Sequence, residues 1–297
     1  MKIPPALKKG DTVAIAATAR KTSKEVIDRS VEIIKNWGLK VVFAPNLFKE
    51  ENQFAGSDKE RVAGFQWAID NKEIKAVILA CGGYGTLRMI DAINFKKFMK
   101  EPKWIVGYSD VTVIQSHLYN LDIASIHGTM AVHFTKHEEA TESLRKVLFG
   151  EKQEYEAASN KLNRIGEAKA EIVGGNLSLL YAMSGSHSDI DTKGKILFIE
   201  DLDEYLYHVD RMMLQLKRSG KLKNLKGLIV GGMSDMKDNA VPFGKTAEEI
   251  IRDAVKEYKY PVCFDFPAGH IARNLAFYIG KKAHLKVTKT GATLIYL

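Results

Sequence analysis

The chain has 297 residues, of which 45% are hydrophobic and 27% are charged, and its formal net charge is +8. This composition is ordinary for a globular protein and excludes an intrinsically disordered chain, while the length suits two domains of common size. The lysines that give the positive charge are scattered among glutamates on expected helix faces, and the densest basic run, residues 217–226, contains no aromatic residue. We therefore expect a solvated surface and no nucleic-acid partner.

The first half of the chain alternates strand and helix patterns. Short β-rich or apolar segments indicate strands at residues 12–17, 40–43, 74–80 and 104–107. Apolar residues at helical spacing predict helices at 23–37, 58–70 and 111–119, with a further helix after the glycine turn at 82–85. Ser57 and Glu60 have the spacing of a capping box. Such alternation is typical of an open parallel sheet with flanking helices, of the flavodoxin or Rossmann kind, whose ligands bind beyond the carboxyl ends of the strands.

The second half begins after a polar segment, residues 151–166, which we interpret as a linker between a domain at 1–150 and a second domain at 167–297. Beyond it, the patterns predict a helix from Asn176 and a hairpin around 288–291. Between these, strands are expected at 195–200 and 227–231, and helices at 205–219 and 246–258. The second domain is therefore also of mixed β/α type.

Ser109 lies where the apolar strand at 104–107 runs into a small-residue turn, with a helix following at once. A sharp turn between strand and helix is how a nucleophile elbow presents a hydroxyl, with the helix N-terminus directed at it. A serine at this place equally suits a helix N-cap, which is the more frequent role when the residue is considered alone.

A carboxylate and an imidazole also follow apolar segments. Glu200 ends the strand at 195–200, although the acidic string 200–204 could instead begin a helix. His270 follows the segment 261–269, and among the other histidines His127, at a strand end in the first domain, is its main competitor. Ser109, Glu200 and His270 supply the three groups of a hydrolytic triad, and because they come from different domains we expect the site in an interdomain cleft.

The glycine turn at 82–85 has exposed backbone donors at the end of a strand. It lacks the lysine and the serine or threonine of a P-loop, and its spacing is not that of a dinucleotide-binding fingerprint. In a hydrolase the same donors would form an oxyanion hole. We assign this role to the backbone N–H groups of Gly83 and Asp110, the second because the residue after the nucleophile often supplies a donor.

The chain resembles the L,D-carboxypeptidase family of serine peptidases, which includes murein tetrapeptide carboxypeptidases and microcin-immunity relatives. The resemblance covers nearly the whole chain and rests on motifs in the family's order. These are residues 3–14 (IPPALKKGDTVA), 81–85 (CGGYG), 106–110 (VGYSD), 127–128 (HG), 174–178 (GGNLS), 198–201 (FIED) and 269–270 (GH).

The resemblance implies Ser109 as nucleophile, His270 as general base and Glu200 as its partner, with no metal and no organic cofactor. It also implies a C-terminal domain like a β/α swivelling barrel, and Tyr84 and His127 as residues that line the substrate pocket. The expected activity is release of terminal D-alanine from a small muropeptide during peptidoglycan recycling. The N-terminus lacks a signal core, so we expect a cytoplasmic protein with no membrane partner, and the expected assembly is a homodimer.

One position departs from the family, because Cys81 stands where arginine is frequent before Gly-Gly-Tyr-Gly. A thiol cannot bind a carboxylate bidentately as a guanidinium does, so a carboxylate-binding residue is expected elsewhere. Arg273 is the first candidate and Arg88 the second, followed by the loop lysines Lys237 and Lys245. The alternative is that Cys81 is a small buried residue without ligand contact. Cys81 and Cys263 are the only cysteines, which excludes a disulfide framework and offers no zinc-site spacing.

Two other functions remain open. A microcin-immunity-type hydrolase would cleave an amide in a peptide-nucleotide and would need an aromatic platform for the base, for which the loop at 234–245 offers only Phe243. A non-catalytic two-domain binding protein would retain the cleft without chemistry. A burst of acyl-enzyme distinguishes the hydrolases from the binding protein.

Overall fold

A computed structural model describes all residues, 1–297, and the chain divides into two compact units. The first unit contains Met1–Lys152 and Ala272–Ile279. The second contains Gln153–Ile271 and Gly280–Leu297. The first unit therefore includes a short segment from near the C-terminus, which the sequence patterns placed in the second domain.

The strands and helices follow the expected alternation. The strands are β1 (Thr12–Ala16), β2 (Lys40–Phe43), β3 (Ile74–Leu79), β4 (Trp104–Gly107), β5 (Ser125–His127), β6 (Glu154–Ala158), β7 (Gly166–Asn176), β8 (Ile196–Leu202), β9 (Gly227–Ser234), β10 (Val262–Cys263), β11 (Phe277–Ile279), β12 (Lys282–Val287) and β13 (Gly291–Tyr296). The α-helices are α1 (Lys24–Asn36), α2 (Asp58–Asp70), α3 (Thr112–Asn120), α4 (Glu138–Leu148), α5 (Leu177–Ala182), α6 (Leu206–Arg218) and α7 (Ala247–Ala254).

The sheet of the first unit has the order β11-β5-β4-β3-β1-β2. Strands β1 to β5 run parallel to their neighbours, and β11 closes the edge by pairing antiparallel with β5. The central strands are almost entirely buried, as near-continuous apolar runs in parallel sheets require. Because β1, β3, β4 and β5 are parallel, the segments that follow them emerge at one edge of the sheet.

The sheet of the second unit has the order β10-β9-β8-β7-β12-β13-β6. Strands β7 to β10 are parallel, whereas β12, β13 and β6 add antiparallel pairs beyond β7. The predicted hairpin is confirmed by the pairing of β12 with β13. The strands form a mixed sheet with helices, and they do not close into a barrel.

The structure confirms the predicted capping box at the start of α2 and the predicted start of α5 at Asn176. The Ser57 hydroxyl accepts a hydrogen bond from the Glu60 N–H at 3.3 Å, and the Glu60 carboxylate accepts one from the Ser57 N–H at 2.9 Å. This reciprocal pair satisfies two donors that the first turn of α2 leaves open. Asn176 caps α5 in a similar way by accepting from the Leu179 N–H at 3.2 Å.

Two segments differ from the sequence patterns. The expected linker at 151–166 contains β6, which forms the edge of the second sheet. Instead of a helix after the glycine turn, the chain forms two 3₁₀ turns, Thr86–Arg88 and Ile90–Ala92. The Asp110 carboxylate binds the Thr86 N–H, and the Gln66 side chain binds main-chain groups of Asn94, so distant side chains replace helical hydrogen bonds here. No helix of the protein is both long and apolar enough to span a membrane.

Candidate active site

The backbone at Ser109 has a left-handed conformation. Its φ is +61°, and the residue begins a 3₁₀ turn, Ser109–Val111, that connects β4 to α3. A serine gains nothing from this conformation by itself, because Cβ is crowded there at a cost of about 1 kcal/mol or more. The predicted elbow is therefore present as a sharp, strained strand-to-helix turn.

The glycine turn packs directly against this elbow. A Cβ at Gly82 would lie 3.2 Å from Ser109 Cβ and 3.3 Å from Ser109 Oγ, so a larger residue there would crowd the hydroxyl. The next residue, Gly83, has a φ of +105°, which only glycine adopts without strain. Both the Ser109 hydroxyl and the backbone proposed for the oxyanion hole therefore lie at the same edge of the first sheet.

The Asp110 carboxylate links the elbow to the glycine turn. The side chain is 1% exposed, and Oδ2 accepts a hydrogen bond from the Thr86 N–H at 2.9 Å. Burial raises the pKa of Asp110, and the hydrogen bonds from Thr86 partly oppose that shift. The side chain of Asp110 thus positions the turn, a role that its sequence context did not indicate.

Glu200 lies at a β-bulge between β8 and β9. Ile199 pairs with Val230 and Asp201 with Met233, so Glu200 faces the two glycines Gly231 and Gly232 on β9. The extra residue belongs to β9, and β8 continues past Glu200 to Leu202, whereas the sequence pattern ended the strand at Glu200. Bulges redirect side chains and are frequent beside active sites. The Glu200 side chain, opposite this bulge, is completely buried.

Glu200 and His270 form a pair in which the carboxylate is completely buried and the imidazole is partly exposed. Glu200 Oε2 is 2.6 Å from His270 Nδ1 and also accepts the His270 backbone N–H at 3.1 Å. A carboxylate only accepts, so Nδ1 carries the proton and the lone pair is on Nε2. Burial lowers the pKa of His270, but the hydrogen bond to Glu200 and the charges of Glu200 and Asp201 outweigh it, and the net shift is upward.

Gly269 allows His270 to approach Glu200 this closely. Its φ is +105°, and a Cβ there would lie 2.7 Å from Glu200 Cβ and 2.8 Å from Oε2. Any side chain would therefore displace the carboxylate from the imidazole. On the other side, the Ser234 hydroxyl donates a 2.6 Å hydrogen bond to the His270 carbonyl. Together these contacts fix the backbone of His270.

Asp201 follows Glu200 in sequence and is also a buried acid. It is 2% exposed and accepts hydrogen bonds from Asn176 Nδ2 at 2.8 Å and from the Ser178 N–H at 2.9 Å. Burial, together with the charge of Glu200, raises the pKa of Asp201 to about 7. Its partners connect β8 to the start of α5, so it supports the strand that carries Glu200.

His127 is completely buried at the end of β5. Its Nε2 lies 3.0 Å from Asn274 Oδ1, its ring stacks on Phe277 at 4.8 Å, and the Tyr108 ring is 5.8 Å away. A substrate has no access to this side chain. We infer that it supports Tyr108, the residue before Ser109, rather than lining the substrate pocket as the resemblance implied.

The side chain of Tyr84 is, in contrast, 46% exposed, and its ring centroid is 6.3 Å from that of Phe54. The expected carboxylate-binding residues all have acidic partners. These ion pairs are Arg273 with Glu139 at 2.8 Å, Arg88 with Asp58 at 2.9 Å, Lys237 with Asp203 at 2.7 Å and Lys245 with Asp253 at 2.6 Å.

The side chain of Cys81 donates to the Arg20 carbonyl at 3.0 Å, and burial raises the pKa of the thiol to about 11. It is therefore protonated near neutral pH. Arg20, which follows β1 at the same sheet edge, was missed, although the rule that selected Ser109 from β4 applies to it equally.

Comparisons with known proteins agree with the motifs and the fold. Two family profiles match, described as the LD-carboxypeptidase N-terminal domain over residues 13–128 and the LD-carboxypeptidase C-terminal domain over residues 169–285. A probable murein peptide carboxypeptidase of Bacillus subtilis is 34% identical over 302 residues, covering 98% of this chain and 93% of the relative.

A second relative, the microcin self-immunity protein MccF of Escherichia coli, is 24% identical and covers 92% of this chain and 90% of its own. The crystal structure of muramoyltetrapeptide carboxypeptidase from Oxalobacter formigenes superposes with a TM-score of 0.87 at 28% identity, covering 95% of this chain and 97% of that chain. These matches extend over both units, so the whole architecture is shared.

Proposed function

Because the chain belongs to the LD-carboxypeptidase family, we propose that it is a serine L,D-carboxypeptidase that releases the terminal D-alanine of murein tetrapeptides. The proposal includes Ser109 as nucleophile, His270 as general base and Glu200 as the residue that orients the base. Peptidoglycan recycling in the cytoplasm is the setting that we propose for this reaction.

In the proposed reaction, Ser109 Oγ attacks the carbonyl carbon of the L,D peptide bond while His270 Nε2 takes the hydroxyl proton. Glu200 holds the proton on Nδ1 and stabilises the imidazolium. His270 then gives its proton to the departing amine of D-alanine, which leaves an acyl-enzyme on Ser109. Water, deprotonated by His270, attacks this ester and releases the shortened peptide with regeneration of the serine.

The negative charge on the carbonyl oxygen needs fixed donors. We propose the backbone N–H groups of Gly83 and Asp110, since the first follows the glycine that contacts Ser109 and the second follows Ser109 itself. In comparable enzymes, removal of one such donor costs about 3 kcal/mol of transition-state stabilisation. The Asp110 carboxylate supports this arrangement because it ties the glycine turn to the elbow.

The observation that carries the proposal is the 2.6 Å contact between the buried Glu200 carboxylate and His270 Nδ1. A buried charge is costly unless it has a partner, and a completely buried carboxylate beside a bulge is difficult to explain as packing. It has the geometry with which a carboxylate fixes the tautomer of a catalytic histidine.

The proposal is tested with tetrapeptides that differ only in the stereochemistry of the last residue. We expect hydrolysis of the peptide that ends in D-alanine, no hydrolysis of the L-alanine peptide, and an acyl-enzyme on Ser109 detected by mass spectrometry during turnover. Ser23→Ala, which removes an exposed serine at the start of α1, is the matched control and should behave as wild type. Hydrolysis without an acyl-enzyme, or by Ser109→Ala, contradicts the serine mechanism.

A second candidate is an amide hydrolase that acts on a peptide-nucleotide, as in microcin immunity. It is favoured by one observation, since Phe243 lies with Tyr181 and Tyr207 around a surface cavity of about 640 Å³ in the second unit. Aromatic rings can stack on a nucleobase. Hydrolysis of an aminoacyl sulfamoyl adenosine that exceeds tetrapeptide hydrolysis, and that falls in Phe243→Ala, would favour this candidate.

A further inference from the structure

Arg20 follows β1 and is fixed through its main chain to the glycine turn. Its N–H donates to the Gly82 carbonyl at 3.4 Å, and its own carbonyl accepts from the Cys81 thiol at 3.0 Å. An isolated antiparallel bridge pairs it with Phe54 on its other side. The backbone of Arg20 is therefore held between two segments, although the side chain is exposed.

The side chain of Arg20 lies across Gly83. A Cβ at Gly83 would come within 2.6 Å of Arg20 Cγ, Cδ and Nε, whereas a Cβ at Gly82 would be 3.3 Å from Ser109 Oγ. Two consecutive glycines thus contact, in turn, the nucleophile and the arginine. Consecutive Cα atoms are about 3.8 Å apart. The contact point for the Arg20 side chain, at Gly83, is therefore one residue along the turn from the contact point for Ser109, at Gly82.

The charge of Arg20 has no acidic partner. Arg88 and Arg273, the other arginines considered for this role, are both ion-paired, whereas Arg20 makes no ion pair. The neighbouring Cys81 thiol is neutral near pH 7, because burial raises its pKa to about 11. An exposed, unpaired guanidinium beside a nucleophile is suited to bind an anion bidentately.

In a substrate with a C-terminal D-amino acid, the free carboxylate is one residue from the carbonyl that is attacked. This matches the spacing between the Gly82 contact with Ser109 and the Gly83 contact with Arg20. We propose that Arg20 binds the C-terminal carboxylate of the substrate and so restricts the enzyme to removal of the last residue. The inference rests on the proposed function, because it assumes that the bond cleaved is the terminal one.

The test compares a tetrapeptide with a free C-terminal carboxylate and the same peptide with a C-terminal amide. For Arg20→Ala we expect kcat/KM on the free acid to fall about 10- to 100-fold, as is usual for loss of a charge-assisted hydrogen bond. The amide should be a poor substrate of wild type, and kcat/KM on the amide should not fall further in Arg20→Ala. For Arg20→Lys, kcat/KM on the free acid should lie between the values of wild type and Arg20→Ala, since lysine keeps the charge but loses the bidentate geometry.

Arg29→Ala is the matched control, because Arg29 is an exposed arginine on α1 in the same unit. It should retain the preference of wild type for the free acid. The melting temperature of each variant separates loss of carboxylate binding from loss of folding. An unchanged ratio of acid to amide turnover in a folded Arg20→Ala protein overturns the inference while leaving the proposed function intact.

A binding measurement keeps the two proposals separate if no hydrolysis occurs. Calorimetry with Ser109→Ala should give tighter binding of the free acid than of the amide, and this difference should disappear in Ser109→Ala with Arg20→Ala. Absence of hydrolysis by wild type contradicts the proposed function alone. Equal affinities for acid and amide, or no binding of either, contradict the role of Arg20.

Discussion

The proposed nucleophile and the proposed base of the candidate site are built in different ways. Ser109 takes its conformation from the residues beside it in sequence, in a turn between β4 and α3 with a φ of +61°. Glu200 and His270 are 70 residues apart, and their contact depends on a bulge and on Gly269. A side chain held by its local turn, as at Ser109, can be replaced without loss of the fold. A substitution that disturbs a long-range contact, such as that between Glu200 and His270, should lower both activity and stability. Four predictions test this contrast.

The largest effect is expected at Ser109. Ser109→Ala should lower turnover by about 10⁴- to 10⁶-fold, because the proposed nucleophile is lost, with a melting temperature close to that of wild type. Ser109→Gly should be equally inactive but about 1 kcal/mol more stable than the alanine variant, since glycine has no Cβ to strain at positive φ. Kinetics and thermal unfolding check both. Inactivity that comes with unfolding would instead favour a capping role for this serine.

Glu200→Gln should reduce turnover about 10⁴-fold, because an amide can stabilise the wrong tautomer of His270. Substrate binding by this variant should remain near that of wild type. Asp203→Asn is the control, since Asp203 is exposed and paired with Lys237 at 2.7 Å. Near-normal turnover by Glu200→Gln, or a large loss in Asp203→Asn, would mean that another acid orients the histidine.

Replacing Gly83 and Gly269 with alanine compares the turn next to Ser109 with the contact between Glu200 and His270. Gly269→Ala places Cβ 2.7 Å from Cβ of the completely buried Glu200, whereas Gly83→Ala places it 2.6 Å from the flexible side chain of Arg20. Both have φ of +105°, so the backbone strain is similar. We expect Gly269→Ala to lose about 2 kcal/mol or more of unfolding free energy, and Gly83→Ala about 1 kcal/mol. Equal losses of unfolding free energy in the two variants, measured by denaturant unfolding, would contradict this difference between the two positions.

The smallest predicted effect is a shift in pH dependence. His270 must be neutral to accept a proton, so kcat/KM should rise with pH and have its midpoint above 6.5, because Glu200 raises the pKa. In Glu200→Gln the imidazole loses the hydrogen bond and the charge of Glu200, while burial still lowers its pKa and the charge of Asp201 still raises it, so the midpoint of the residual activity should fall below that of wild type. Midpoints that do not move between the two proteins would exclude Glu200 as the source of the shift.

The same pKa shift has a consequence for stability. Protonated His270 is stabilised by Glu200 in the folded state, and its folded pKa lies above the usual 6.5. The contribution is therefore fully present below pH 6.5 and is lost as pH rises through the folded pKa. Activity and this part of the stability thus change in opposite directions over the same pH range.

Local patterns were sufficient to predict the turn at Ser109 and insufficient to predict the contact between Glu200 and His270. The strand, turn and helix around Ser109 follow from adjacent residues, and the Ser57 cap of α2 likewise needs only its own turn. The two glycines Gly231 and Gly232, at the end of the expected strand 227–231, are a sequence signal for the bulge, but the residue that they face depends on pairing between strands.

Pairing between distant segments left no comparable signal. β11 joins β5 across about half of the chain, and the side chains of Gln66 and Asp110 replace the expected helix after the glycine turn. Arg20 could have been found by position, because it follows a parallel strand, but its lack of an acidic partner is visible only in the folded chain. Local order was thus predictable, whereas charge pairing was not.

The return of Ala272–Ile279 to the first unit also affects how the chain folds during synthesis. β11 supplies the edge of the first sheet. There Phe277 stacks on His127, and the ring centroids of Tyr278 and Trp104 are 5.1 Å apart. At about 5–20 residues per second, the ribosome needs roughly 6 to 25 s to proceed from the end of Met1–Lys152 to β11. For that interval the nascent first unit exposes the edge of β5, an open strand that a chaperone or a second nascent chain can bind.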